Sequence, residues 1–408
     1  MIRYALIVGL VGCGSDLDPI DTSAGDADTD TDTDTDVDTD TDTDTDTDVD
    51  TDTDTDTDTD TDTEPVTFRE SRTSGKTDAD GLYAVEIEVG ADDNALLSEV
   101  LAGTGYMGSL EEILDPSGAV AVEWQDWYES DESLTYAWFP WGLRSAVNWP
   151  VRAKDGSLDP GTWTVVWAAT DSDGNYAAKV PMKSVDWVKA DPDLKDGTVK
   201  VVIVWAKGVD SDPDVVDAVE AAVEIWRDCW AAVGLTLEER YVTSSIAAGL
   251  PEPSTDNSAL ATASALADER ETVLLIGRLI AADSSTLGIA GNIPGSLEAS
   301  GIGGVEVAWL ASAGTDASFT TTEVEILGGT MAHEVLHYLG LFHPVEDGWQ
   351  YYDALGDTVR CTNQTQCESK LASNVMYPYA ICDTSDCLQQ LDLTPNQGEV
   401  AHRWVGTW

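Results

Sequence analysis

Between residues 66 and about 192 apolar and polar residues alternate with period two. Tyr83, Val85, Ile87 and Val89 form one run, Val120, Val122 and Trp124 a second, and Trp163, Val165 and Trp167 a third. Side chains along a strand point alternately to its two faces, so each run predicts a strand with one face in a core. Turn signals such as Asp115-Pro116-Ser117-Gly118 and Asp171-Ser172-Asp173-Gly174 separate the runs. The pattern predicts an all-β sandwich over 66–195. From Gly197 the texture changes. Val199 to Trp205 reads as a buried strand. Asp212, Pro213 and Gly234 bracket a helix whose apolar stripe is Val219, Val223, Trp226, Trp230 and Val233, with Cys229 on it as a buried free thiol. Leu235 to Val242 and Thr272 to Ile280 read as further strands, and Gly304 to Leu310 as a shorter one at a sheet edge. A second long helix is expected from Thr322, which forms a capping box with Glu325. Strands alternating with helices predict a mixed α/β domain over 196–408.

Nothing in residues 14–65 can build a core. From Asp28 to Thr63 the sequence is Thr-Asp repeated, broken only by Val37 and Val49. Like charges at every second position repel, so an extended, disordered tether is expected. Fully stretched it would reach on the order of 170 Å at about 3.3 Å per residue. Residues 1–13 are different again. An apolar run from Tyr4 to Val11, closing on Leu10-Val11-Gly12-Cys13, follows Arg3. That is a short export signal, and Cys13 resembles the acylation site of bacterial lipoproteins. The run is too short to be a permanent span, which takes about 20 residues. The expected destination is the cell envelope, on the outer membrane or cell surface, with Cys13 as the lipid anchor.

Charge narrows the partners. The formal net charge is -57, divided as -22 over 1–65, -13 over 66–195 and -22 over 196–408, so the acidity is not confined to the tether. With only 20 Lys and Arg residues the chain cannot replace the counterions of a nucleic acid or an anionic lipid surface. Such acidity favours solubility outside the cell and attracts Ca²⁺, which is carried as a second candidate ion. Fifteen Trp and 42% hydrophobic residues are enough for real cores. Four cysteines, Cys361, Cys367, Cys382 and Cys387, cluster near the C-terminus. In an exported chain they predict two disulfides, with three connectivities open.

The expected second helix ends in His333-Glu334-Val335-Leu336-His337-Tyr338-Leu339-Gly340-Leu341-Phe342-His343. Residues four apart share a helical face, so His333 and His337 can present imidazoles to one ion with Glu334 beside them. Gly340 can end the helix in the left-handed region and swing His343 back to the same ion. Three neutral imidazoles suit a catalytic Zn²⁺, which lowers the pKa of its water towards about 7. Glu334 can then act as general base. Three of the four histidines in the chain fall in this segment.

The spacing HExxHxxGxxH resembles the signature of the metzincin zinc proteases. Asn374-Val375-Met376-Tyr377-Pro378 is similar to that family's methionine turn, which would put Met376 as an apolar floor under the histidines. Within the metzincins the chain resembles the pappalysin-like peptidases. Leu287-Gly288-Ile289-Ala290-Gly291-Asn292-Ile293-Pro294-Gly295, Gly303-Gly304-Val305, the stretch Asp357 to Cys367 and Leu393-Thr394-Pro395-Asn396-Gln397 carry that likeness over roughly 197–408. Pro344, after the third histidine, is instead what serralysins show. The resemblance implies a zinc-dependent endopeptidase whose extended peptide substrate pairs with an edge strand, here Gly304 to Leu310. It also implies an oxyanion-steadying tyrosine. The usual position for it holds Pro378, leaving Tyr379 or Tyr377. A rival reading is a surface adhesin in which the sandwich binds and zinc only stabilises; a structural site has no use for the base Glu334.

Overall fold

The alternating runs lie in strands of one of two antiparallel sheets. The computed structural model describes residues 65–139, 144–253, 256–283, 285–298, 303–313, 318–346, 348–381 and 387–408. The export signal, Cys13, the Thr-Asp tract and Cys382 lie outside them. Strands β1 (Thr67–Lys76), β2 (Leu82–Val89), β3 (Ala95–Ala102), β4 (Met107–Leu114), β5 (Val120–Glu123), β6 (Ser145–Trp149), β7 (Gly161–Thr170) and β8 (Pro181–Ala190) follow in chain order. One sheet runs β1-β8-β3-β6 and the other β2-β7-β4-β5, with Trp138–Phe139 paired to β4. Val85, Ile87 and Val89 of β2 and Trp163, Val165 and Trp167 of β7 are buried, as alternation requires. The run at 120–124 departs from the pattern. Val120 is 52% exposed, and Trp124 opens a short helix, Trp124–Tyr128, because Asp126 reaches back to cap the backbone N–H of Glu123.

Strand β3 loses the alternation altogether and is buried on both faces, as is β8 from Ser184 to Lys189. A strand buried on both faces needs a layer on each side. Ser98 of β3 bonds Asp186 of β8 and receives the indole N–H of Trp167 from the other sheet. Glu99 points the opposite way, to Ser296 and Leu297. Lys189, wholly buried, donates to the carbonyls of His402 at 2.5 Å and Thr407 at 2.9 Å and pairs with Asp191 at 3.3 Å. The second layer is thus the C-terminal half of the chain, and the described residues fall in one compact unit.

That half is built on a five-stranded mixed sheet. Its elements are β9 (Gly197–Trp205), α1 (Pro213–Ala231), β10 (Leu235–Thr243), α2 (Ser258–Ser264), β11 (Thr272–Gly277), β12 (Gly288–Ala290), β13 (Val305–Ala308), α3 (Thr321–Tyr338), α4 (Gln364–Leu371) and α5 (Pro395–Arg403). The strand order is β10-β9-β11-β13-β12, parallel throughout except for the antiparallel β12. Asp212 caps α1 by accepting from the N–H of Asp214, Pro213 takes the first position, and Val215, Val219, Val223, Trp226, Cys229 and Trp230 are its buried face. Cys229 is a free, buried thiol held to the carbonyl of Leu391. Two expectations are corrected. The strand over 304–310 is β13, which is interior because both neighbours pair with it; the edge is β12. Helix α3 is capped by Thr320 with Glu323, two residues earlier than Thr322 with Glu325. Both pairs have the same Thr-x-x-Glu spacing, so the local signal cannot choose between them.

Candidate metal centre

Helix α3 packs on α1 and under β12, and it is buried on every side from Thr330 to Tyr338. It stops by a bond pattern that reads from the sequence. Gly340 has φ +106°, its N–H donates to the carbonyl of His337 at 2.9 Å, and the N–H of Leu341 reaches back to Leu336 at 3.0 Å. This is the Schellman closure, which needs a left-handed residue at the position Gly340 occupies. It reverses the chain and carries His343 to the histidines of the helix.

The three imidazoles are held from behind. His333 Nδ1 lies 2.6 Å from the carbonyl of Val375, His337 Nδ1 2.6 Å from the carbonyl of Leu341, and His343 Nδ1 2.7 Å from a carboxylate oxygen of Glu346. A carbonyl or carboxylate only accepts, so each Nδ1 carries the proton and each Nε2 is left with a lone pair. Those lone pairs face one another. His333 Nε2 and His337 Nε2 lie 3.2 and 3.1 Å from His343 Nε2. Three acceptors at that spacing repel unless a cation sits among them, and nitrogens about 2.0–2.1 Å from a tetrahedral Zn²⁺ stand about 3.3 Å apart. The donor set fits zinc. Burial and the neighbouring imidazoles push His333 down to about 3 and His337 well below its usual range, so both are neutral. Among the described residues this is the one group of three or more His, Cys, Asp or Glu whose ligand atoms converge.

Glu334 stands next to the triad without belonging to it. It is buried, and burial pushes its carboxyl up to about 8 against the opposing hydrogen bond from the N–H of Ala290. A group poised near neutrality in a dry site suits proton transfer. The contact to Ala290 ties Glu334 to the edge strand β12. A Cβ on Gly288 in that strand would stand 2.5 Å from Glu334 Cγ and 2.8 Å from its Oε1, so only glycine lets the carboxylate lie there. The sequence offers Gly288 only as one of several glycines, and its part in the site was missed. Glu346 was missed too, since a carboxylate three residues past a histidine in a loop carries no signal of its own.

Met376 is fully buried, and its N–H donates to Asn374 Oδ1, while the carbonyl before it holds His333. The apolar floor expected there is thus joined to the triad through the backbone of Val375. Tyr377 is also buried, its hydroxyl has no hydrogen-bond partner among the described residues, and burial raises it to about 12, so it remains a donor. The ring of Tyr379 lies 6.2 Å from that of Tyr377. Both line a pocket with His333, Glu334, Glu325 and Leu388. Cys361 and Cys367 form a disulfide, and Cys387 is disulfide-bonded as well.

No family model matches the chain, and no curated protein matches it. Among solved structures it is similar to metalloproteinase-II from Bacteroides fragilis, at 14% identity and a TM-score of 0.25, over 41% of this chain and 57% of that one. It is similar to archaemetzincin from Methanopyrus kandleri at 16% identity and a TM-score of 0.29, over 50% of this chain and 94% of that one. It is also similar to the VP2 subviral particle of infectious bursal disease virus at 10% identity and a TM-score of 0.20, over 32% of this chain and 34% of that one. The chain spans about 57% of the length of the first of these. At such values the functional reading rests on the geometry of the site.

Proposed function

We propose that the protein is a zinc-dependent endopeptidase of the metzincin type. One observation carries the reading: three imidazoles turn their Nε2 atoms to one point, and a buried carboxyl group that is not among the three stands at its edge. His333, His337 and His343 would hold a zinc ion, which when bound would supply Lewis acidity and lower the pKa of the attacking water. Glu334 takes the proton of that water and delivers it to the leaving amine. The free edge of β12 offers backbone donors and acceptors to an extended peptide, which would pair beside Glu334. Met376 supports the histidines from below. Tyr377, with its unpartnered hydroxyl, is favoured over Tyr379 as the phenol that steadies the oxyanion. In the same reading 66–195 is an accessory sandwich, 196–408 the peptidase domain, and 14–65 a tether from a chain exported and lipid-anchored through Cys13. An adhesin with a stabilising ion would gain nothing from Glu334.

Changing Glu334→Gln keeps size and hydrogen-bonding reach but removes the base. Zinc content and fold should survive while peptide hydrolysis falls by at least about 10²-fold. Turnover within a few-fold of wild type, with zinc confirmed in the sample, would remove Glu334 from the mechanism and reopen the adhesin reading.

A further inference from the structure

Strand β12 has three residues and, among the described residues, is paired on one side only, to β13. So short an edge strand does not hold its own position against a docking peptide. Its far end is anchored by residues 291–298, which run as a strap between the N-terminal sheets and the end of α3. On the helix side the N–H of Gly295 donates to the carbonyl of Tyr338 at 2.6 Å, and the Tyr338 hydroxyl donates to the carbonyl of Ser296 at 2.6 Å. Tyr338 directly follows the ligand His337. On the sheet side the strap meets Glu99 of β3, whose carboxylate accepts from the N–H of Leu297 at 2.7 Å and from the Ser296 hydroxyl.

Glu99 is wholly buried in a strand otherwise made of Ala95, Leu96, Leu97, Ser98, Val100, Leu101 and Ala102. Taking a carboxylate out of water there is unfavourable unless hydrogen bonds satisfy it, and the two donors that do so both come from the strap. An apolar residue would pack in β3 at lower cost but would release the strap. We infer that Glu99 is a positioning residue for the hydrolysis proposed above, fixing β12 through residues 291–298 at the level where a substrate backbone pairs with it. The inference rests on the endopeptidase reading. It makes the N-terminal sheets part of the substrate cleft's frame.

The test uses the full chain carrying Glu99→Leu, with Glu99→Gln as the conservative variant. Gln can accept from Leu297 and donate to Ser296, so it should restore what Leu loses. Assayed well below its melting temperature and with zinc content unchanged, the Leu variant should raise KM about tenfold for loss of the two hydrogen bonds to the strap. Its kcat should stay within about threefold, as expected when peptide binding and not the chemical step is lost. Amide exchange at Ala290 and Leu297 should quicken in the same variant and return to wild-type protection with Gln. A wild-type KM in folded, zinc-loaded Glu99→Leu would overturn the inference. If the wild-type protein shows no zinc-dependent hydrolysis, the endopeptidase reading fails on its own, and exchange at Ala290 still decides the role of Glu99: unchanged protection rejects it. Should the Leu variant not fold, Ser296→Ala removes one of the two donors, and wild-type KM with wild-type protection at Ala290 in that protein rejects the inference equally.

Discussion

At the scale of the residue, the three histidines differ in what stands behind them. Backbone carbonyls hold His333 and His337, and they cannot be mutated away, whereas His343 depends on the side chain of Glu346. A carboxylate behind an imidazole fixes its tautomer and raises its basicity towards the metal. Replacing Glu346→Ala should therefore weaken zinc binding about 10- to 100-fold, measured by competition with a chromogenic chelator. Equal affinity in the two proteins would mean that the loop backbone alone orients His343. The clustering of the three histidines with Glu334 was legible because they lie within eleven consecutive positions whose geometry is set by one helix and one glycine turn. Glu346 and Glu99 were not. Their partners are defined by a loop path and by a strap nearly 200 residues away, and no local period encodes either.

At the scale of the element, β12 shows why some strands escape a sequence reading. Gly288-Ile289-Ala290 is too short to display a period, so the eye passes to the longer apolar run at 304–310, which turns out to be interior. Helix α1 was legible from its cap, Asp212 followed by Pro213, because capping is decided by immediate neighbours in the chain. The edge strand has its own test at Gly288. A methyl group there collides with Glu334, and a shift of the base by about 1 Å can cost about 10²-fold in rate. Gly288→Ala should thus keep its zinc and its fold but lose about 10²-fold in turnover. Near wild-type turnover would show that the carboxylate can move aside without harm.

At the scale of the whole molecule, charge and burial meet at Glu99. Burial pushes its carboxyl up to about 7 despite Arg144 and the donors Ser296 and Leu297, with Glu298 acting in the same direction as burial. An exposed glutamate in the unfolded chain titrates near 4.3, so between these values the folded protein holds the extra proton. Glu99 therefore contributes most to stability below about pH 4.3, and that contribution is lost as pH rises through about 7. Glu99→Gln has no such proton. The stability of the wild type relative to this variant should increase as pH falls across the window, by on the order of a few kcal/mol. Denaturant melts at several pH values read it directly, and a difference that stays flat would show that Glu99 does not titrate there.

The burial of β3 and β8 on both faces has a consequence for anyone who would take the protein apart. The change of texture near residue 196 reads as a domain boundary, yet Glu99, Asn148 and Lys189 all spend their hydrogen bonds on residues beyond it. Cutting the chain there would expose Leu97, Val185 and Trp187 on one fragment and leave the strap without its anchor on the other. The segment carrying the histidines is therefore not a portable cassette. In a genetic screen for lost hydrolysis, substitutions in the N-terminal sheets would score beside those in the zinc motif, and recombination that exchanged the N-terminal half for a foreign one would have to preserve its seam with the strap.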